Sequence, residues 1–401
     1  MTEKNPYDVC IVGGLGHVGL PLGISLAQSG KRVILYDINK EAIDILSRGK
    51  MPFMENGAED ALKDVIGKTL SVTSERKKIS EGYFVIVVTG TPVDEHLNPK
   101  FAEFKKFFLD ILEFIGDDQH IILRSTIFPG TTEKIKELLR HHGKKTKLSF
   151  CPERIAEGKA LEELRSLPQI VASFDELSFK EAKELFSCLT KDVIFLDPLE
   201  AELAKLFTNV WRYIQFSISN QFYQIATQSG LDFYKIYNAM TYNYPRAQGF
   251  CSAGFTAGPC LFKDTMQLAA FSNNTFFLGH AAMLINEGLP NFIVQKLKEK
   301  YSLEDKIVGI LGMAFKGNSD DPRESLSYKL KKILEIDSKK VLCTDPFVKD
   351  DSLIELEEVI TKSDILVLGA PHTLYRQIDI DFSSKIVLDI WNFFGKRGSF
   401  E

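Results

Sequence analysis

Two kinds of hydrophobic spacing divide this chain. Near its start, short runs of almost continuous apolar, β-branched residues alternate with longer stretches whose apolar positions recur every three or four residues. The runs at 7–13 (YDVCIVG), 32–37 (RVILYD), 83–89 (YFVIVVT) and 120–125 (HIILRS) read as buried parallel strands. The stretches between them supply helices, which predicts a doubly wound α/β domain. Further strands are expected near 147–151, 169–172 and 193–196. From about Leu199 the spacing becomes helical: Leu203, Leu206, Phe207, Val210, Ile214 and Ile218 fall at intervals that place them on one face. Helical character continues to about Tyr301, broken by the Gly/Pro-containing stretch 245–259. Strand-like runs then return at 306–312, 340–345, 364–369 and 385–389, in an order that echoes the first domain. The pattern predicts two doubly wound domains, 1–198 and 302–401, joined by a central helical segment, 199–301.

Composition narrows the class. The chain has 401 residues, 44% hydrophobic and 26% charged, enough for two or three folded domains. Lysine and arginine number 49 against 54 acids, so no basic field exists to make nucleic-acid binding the main activity. The six cysteines (10, 151, 188, 251, 260, 343) form neither a CxxC pair nor a Cys/His run. That spacing argues against a disulfide scaffold and against a metal site, and reduced thiols in a cytoplasm are expected. Glu3 and Asp8 stand where a signal peptide would need a basic head and an apolar run. Residues 10–27 are uncharged apart from His17, but five glycines and Pro21 suit a turn and helix start better than a membrane span.

Gly14-Leu15-Gly16-His17-Val18-Gly19 follows the first strand and precedes an apolar helical pattern. Glycines allow a tight turn and close approach of backbone to a pyrophosphate, which the helix N-terminus attracts. Asp37 ends the second strand at the distance where an acid meets both ribose hydroxyls, and its charge repels a 2′-phosphate. NAD is therefore expected rather than NADP, on a Rossmann-like domain. Thr89-Gly90-Thr91-Pro92 and Ser125-Thr126 occupy the ligand-binding ends of the third and fourth strands, where hydroxyls also serve as plain turn residues.

Gly258-Pro259-Cys260-Leu261-Phe262-Lys263-Asp264 is the sharpest local signal. The Gly-Pro entry puts Cys260 at a helix N-terminus, where the dipole favours thiolate. Lys263 and Asp264, three and four positions on, can lean back towards the sulfur. The bland alternative is a buried cysteine beside a surface ion pair. Lys205 and Asn209 form an i, i+4 polar pair beside the apolar stripe, and spacing alone does not separate function from surface decoration there. Cys151-Pro152-Glu153-Arg154 puts a carboxylate at a sheet edge, with Glu157-Gly158 one turn later.

Together these segments resemble the UDP-glucose/GDP-mannose dehydrogenase family of nucleotide-sugar 6-dehydrogenases. The resemblance runs in order through GLGHVGLP (14–21), RSTIFPGTT (124–132), CPERIAEGKAL (151–161), AKLFTN (204–209), GPCLFKD (258–264) and GMAFKGNSDDPRES (312–325). It implies two Rossmann-like domains around a helical dimerisation core, a UDP-sugar substrate and a homodimer or larger homo-oligomer. It further implies oxidation of a sugar C6 alcohol to a carboxylate with two NAD per turnover. Cys260 would form a thiohemiacetal and then a thioester, and Lys205 would stabilise the oxyanion. Glu153 and Asp264 would act as base or position water, helped by Thr126 and Asn209. Substrate contacts fall by correspondence on Glu153, Lys205, Asn209, Arg246, Gly258 and Lys316. Beyond the glycine turn (Gly14, Gly16, His17, Val18, Gly19) and Asp37, NAD contacts fall on Thr91, Thr126, Glu157, Lys263 and Arg323.

Three departures stand out. The family's Gly-Gly pair before the cysteine is replaced by Thr256-Ala257, which narrows the loop and bears on the sugar pocket. His17 replaces a frequent tyrosine, and the family's Asn-Glu on the long helix appears as Asn220-Gln221. CPERIAEGKALEEL and NYPR (243–246) look more like the branch acting on UDP-N-acetylhexosamines, whereas Lys263-Asp264 looks more like the UDP-glucose branch. The first is the expected substrate class and UDP-glucose its alternative. Two other readings compete: a hydroxy-acid dehydrogenase making one oxidation without a nucleophile, and a catalytically silent nucleotide-binding regulator. The set Lys205, Asn209, Cys260 and Asp264 argues against the regulator.

Overall fold

The structure is a computed structural model that describes residues 5–90, 94, 100–256, 258–377 and 385–395. The chain divides into two compact units, Met1–Thr208 and Asn209–Glu401. The first opens with β1 (Tyr7–Val12), α1 (Gly19–Gln28), β2 (Val33–Tyr36), α2 (Lys40–Ser47), α3 (Ala58–Val65) and β3 (Leu70–Thr73). It continues with β4 (Gly82–Val87), α4 (Phe101–Leu112), β5 (His120–Leu123), α5 (Thr131–His141) and β6 (Lys147–Phe150). After α6 (Ala160–Ser166) come β7 (Gln169–Ser173), α7 (Glu176–Phe186) and β8 (Val193–Leu196).

These strands form one sheet in the order β3-β2-β1-β4-β5-β6-β7-β8. Strand direction is parallel throughout except at β6–β7, which pair antiparallel. Because β1 lies between β2 and β4, the chain winds one way from β1 and then returns to the other side. A crevice opens at such a switch point, beyond the C-terminal strand ends. Alternation sorts each strand into two cores. Val9, Ile11, Val33 and Leu35 pack with α1 and α3 on one face. Cys10, Val12, Ile34 and Tyr36 pack with α4 and α5 on the other. Sequence periodicity misses β3, because this edge strand (LSVT) mixes hydroxyls with two apolar residues and is only partly buried.

α8 (Pro198–Gln228) is a single helix of 31 residues that runs through the division between the units. Within the first unit its Glu202 reaches back to α5, accepting hydrogen bonds from Gly130 N, Thr132 N and Thr132 Oγ1. A buried carboxylate thus caps a helix whose own preceding residue, Gly130, has no side chain to do so. The predicted single apolar face of α8 needs correction. Leu206, Val210 and Ile214 are buried, but Phe207 and Ile218 are 53% and 39% exposed. Neighbours such as Leu206 and Phe207 lie about 100° apart on a helix, so the pattern encodes two faces.

The second unit adds α9 (Phe233–Thr241), α10 (Leu261–Phe271) and α11 (Phe277–Lys300), then β9 (Ile307–Leu311) and α12 (Leu326–Asp337). β10 (Lys340–Thr344), α13 (Leu356–Lys362), β11 (Ile365–Leu368) and β12 (Ile386–Leu388) complete it. Its parallel sheet has the order β10-β9-β11-β12. Tyr223, Phe233, Leu289, Phe292 and Ile293 share one core with Val308, Ile310, Leu330 and Val367, so these helices and this sheet stabilise each other.

At the N-terminal edge of the first sheet, the fully buried His120 lies between Glu181 Oε2 (3.1 Å) and Ser149 Oγ (2.8 Å). The carboxylate can only accept, so Nδ1 donates to it and Nε2 accepts from the serine. Burial pushes the His120 imidazole down to about 4 against the opposing pull of Glu181. The unfolded chain therefore protonates first, near pH 6.5. Stability is full above that pH and falls towards pH 4, by about 3 kcal/mol at the limit. Urea unfolding of wild type and His120→Gln between pH 7 and pH 4.5 is expected to show a shallower acid loss in the variant. Identical slopes would contradict it.

Candidate active site

In the first unit, the glycine turn leaves β1 at the switch point. An added Cβ at Gly14 would lie 2.8 Å from Ile11 O, and one at Gly19 would lie 2.8 Å from Gly14 Cα. These two glycines are required by packing of the turn against its own strand and helix. At Gly16 an added Cβ would meet nothing within 4 Å, so this position faces open space through which a ligand can reach the backbone. Val18 precedes α1 without a side-chain cap; Leu20 N and Leu22 N donate to Gly16 O and Val18 O and Pro21 has no N–H, so an anion is attracted by the positive end of the helix and by the amides ahead of Leu20. Asp37 closes the turn: Oδ2 accepts from Leu15 N at 3.0 Å and Oδ1 from Asn39 N at 3.0 Å. Each oxygen retains acceptor capacity for a ribose hydroxyl. His17 stacks against Phe53, with ring centroids 4.0 Å apart, an aromatic use that its position in the motif conceals. Together these features fit a dinucleotide.

The ends of β5 and β6 are locked by a residue to which the sequence reading gives no role. Arg124 is fully buried and donates to Glu153 Oε2 through Nε (3.0 Å) and Nη2, to Cys151 O and to Gln169 Oε1. Its guanidinium also lies 4.7 Å from the Phe186 ring centroid. Glu153 Oε1 meanwhile accepts from Arg154 N and Ile155 N. Both carboxylate oxygens are thus engaged, one by a cation and one by the loop that Glu153 begins. Glu157 lies partly buried further along that loop, where Gly158 N and Ala160 N donate to Glu55. Thr126 is partly buried after β5, beside Ser125, whose hydroxyl donates to Thr89 O. Thr91 lies outside the described residues.

Lys205, partly buried, stands one turn before Asn209 on α8. In the second unit Cys260 is exposed and is the residue at which α10 begins. One turn on, Asp264 is fully buried and accepts from Asn209 Nδ2 through Oδ2 at 2.5 Å. Its Oδ1 has no hydrogen-bond partner among the described residues, with the Lys263 ammonium 3.5 Å away. Lys263 and Asp264 thus also pair with each other. Gly258 adopts φ +104°, and an added Cβ there would lie 2.6 Å from the Phe315 ring, so only glycine fits. Ala257 lies outside the described residues. Arg246 is exposed on a short 3-10 turn, its Nε donating to Tyr244 Oη at 2.7 Å.

The second sheet repeats the logic of the first. Asp345, which follows β10, accepts through Oδ2 from Met313 N (2.6 Å), Ala314 N (3.0 Å) and His372 Nε2 (3.0 Å). Its Oδ1 accepts from Phe347 N and Val348 N. Burial pushes this carboxyl up, but His372 and the backbone donors outweigh it and hold it at about 2. His372 Nδ1 accepts from Asn318 N, which fixes the other end of the loop carrying Lys316. Arg323 is held by Asp321 through Nε and Nη2 and remains half exposed.

A glycine turn at the switch point of a parallel sheet, with Asp37 after β2, is suited to the dinucleotide of an oxidoreductase. Family profiles agree with this class along most of the chain. The NAD binding domain of the UDP-glucose/GDP-mannose dehydrogenase family matches residues 7–190, its central domain 199–287 and its UDP binding domain 309–396. The chain belongs to this family and is an NAD-dependent nucleotide-sugar dehydrogenase. It is 30% identical to a UDP-N-acetyl-D-mannosamine dehydrogenase of Methanococcus maripaludis, over 98% of this chain and 95% of that protein. The corresponding enzyme of Pyrococcus horikoshii is 29% identical over 94% and 93%. The solved structure of a Pyrococcus horikoshii UDP-D-ManNAc dehydrogenase superposes with a TM-score of 0.88, at 28% identity over 96% of this chain and 95% of that one. A UDP-glucose dehydrogenase from Pyrobaculum islandicum shares the fold at a TM-score of 0.88 and 24% identity.

Asp345→Asn places an amide where two sets of backbone donors need acceptors, a loss of about 2–4 kcal/mol. Hydrogen exchange is expected to show lost protection at Met313 and Ala314, with Ile11 in the first unit unchanged. Unaltered protection at Met313 would refute the role given to Asp345.

Proposed function

We propose that this protein oxidises the C6 alcohol of a UDP-N-acetylhexosamine to the carboxylate in two stages, with Cys260 as the covalent nucleophile. The observation that carries this reading is an exposed cysteine at the start of α10, followed one turn later by a buried Asp264 held by Asn209. Bound NAD supplies the hydride acceptor in each stage. The first oxidation takes a hydride and a proton from the alcohol and leaves an aldehyde. Cys260 Sγ then bonds to C6, forming a thiohemiacetal. Removal of a second hydride and of the hydroxyl proton gives a thioester, and water cleaves the C–S bond, releasing the acid and restoring the thiol. Lys205 holds the negative charge on the C6 oxygen, the task for which a fixed cation is suited. Asp264, with Oδ2 committed to Asn209 and Oδ1 facing the Lys263 ammonium, positions a water or takes its proton. Glu153, Thr126 and Asn209 assist, and Arg246, Gly258 and Lys316 contact the UDP-sugar. Thr126, Thr91, Glu157, Lys263 and Arg323 meet the dinucleotide. The division 1–198, 199–301 and 302–401 then assigns NAD binding, dimerisation and UDP-sugar binding to successive segments.

The mannosamine-type activity of the relatives supports the N-acetylhexosamine class. The Lys263–Asp264 pair favours UDP-glucose as the second reading. A screen of NADH formation over UDP-glucose, UDP-GlcNAc, UDP-ManNAc and GDP-mannose separates them. Two NADH per UDP-N-acetylhexosamine are expected, and one per sugar would support a single oxidation instead. Cys260→Ser is expected to abolish acid formation while NAD affinity stays within about twofold. Full activity in that variant would sink the covalent scheme.

None of the six cysteines forms a disulfide, which suits a reducing cytoplasm. Among the described residues no helix is long and apolar enough to cross a membrane. A homodimer through the central helices is supported by exposed apolar residues there: Trp211 59%, Phe222 41%, Ile225 52% and Phe277 77%. Light scattering is expected to show a dimer that Trp211→Glu shifts towards monomer. A monomeric wild type would overturn this assembly.

A further inference from the structure

We propose that Asn220, backed by Asn286, is the positioning residue that fixes the reactive segment from Cys251 to Cys260. The proposal rests on the reading of Cys260 as nucleophile. Asn220 and Asn286 are both fully buried. Gly254 N donates to Asn220 Oδ1 at 2.9 Å, and Asn220 Nδ2 donates to Asn286 Oδ1 at 2.9 Å. Asn286 Nδ2 in turn donates to Tyr213 O at 3.1 Å. The direction of this chain is forced, because a backbone N–H can only donate and a carbonyl can only accept. A carboxamide is the group that satisfies both neighbours of Asn220 without charge. A carboxylate lacks the donor, and a hydroxyl is too short to span them.

The segment has little slack at this point. An added Cβ on Gly254 would lie 2.3 Å from the Trp391 ring, so that ring closes the space beside the residue whose N–H Asn220 receives. Ser219 Oγ also donates to Cys251 O, three residues upstream. Downstream, Gly258 N donates to Glu324 O. Asn209 and Asn220 are eleven residues apart, three turns, and so share one side of α8 about 16 Å apart. The first holds Asp264, one turn after Cys260, and the second holds Gly254, six residues before it. One rigid helix thus grips the reactive segment on both sides of the sulfur. Misplacement of a reacting atom by about 1 Å is enough to cost a hundredfold in rate.

The test compares wild type, Asn220→Ala and Asn220→Asp, the last keeping the acceptor for Gly254 N while losing the donor to Asn286. Iodoacetamide labelling of Cys260, followed by mass spectrometry across pH, reads the sulfur directly, beside kcat, KM and NAD affinity. For Asn220→Ala the alkylation midpoint is expected to rise by about one pH unit as the sulfur leaves its helix-start position. Its kcat is expected to fall about 10–100-fold with KM changed far less and NAD affinity unchanged, and Asn220→Asp should lie between. A wild-type labelling profile in Asn220→Ala, with or without loss of kcat, overturns the proposal. If Asn220→Ala does not fold, Asn220→Asp decides by the same readout. If wild type forms no NADH with any UDP-sugar, the functional reading fails, and the labelling profiles still decide whether Asn220 positions the segment.

Discussion

A parallel strand that runs out into a loop leaves backbone N–H groups pointing at the place where a ligand must bind. In this protein carboxylates receive them. Asp37 takes Leu15 N, Glu153 takes Arg154 N and Ile155 N, and Asp345 takes Met313 N and Ala314 N. Each acid comes from a strand end or from the loop itself, so the sheet dictates the loop. An uncompensated amide in such a setting costs about 1–3 kcal/mol, and several occur within a few residues of one another. The charge of each acid needs an answer in turn. Arg124 gives it to Glu153, while Asp345 receives a ring N–H of His372, whose Nδ1 accepts from Asn318 N.

The first of these acids is the least enclosed. Asp37 is partly exposed and retains acceptor capacity, as a residue that meets a ribose must. Asp345 occupies the equivalent strand end in the second sheet, yet its side chain is buried and spends both oxygens on its own unit. The two sheets therefore share one loop-fixing device and differ in what remains available to a ligand. That difference is consistent with a family in which one domain binds NAD and the other UDP.

Polar groups on α8 extend the same principle to helices. Glu202 caps α5, Asn209 holds Asp264, and Asn220 holds Gly254 through its amide. All three are buried among apolar residues of the same helix, where hydrogen bonding is obligatory and geometry is correspondingly strict. The apolar residues that α8 leaves exposed form a separate face.

By itself the sequence determined every strand but β3, the glycine turn, Asp37, the helical middle and Cys260 at a helix start, because each depends on local spacing. β-branched runs, GxGxxG and Gly-Pro before a helix carry their meaning within a dozen residues. Only the tertiary structure decided what Arg124, Glu202, Asn220 and Asp345 do, since their partners on other elements are 27 or more residues away in the chain. It also decided that Phe207 and Ile218 are exposed and that β6 and β7 run antiparallel. The reason is common to all of these. Periodicity reports which residues can share a face, whereas pairing and burial depend on which distant segment arrives to cover it.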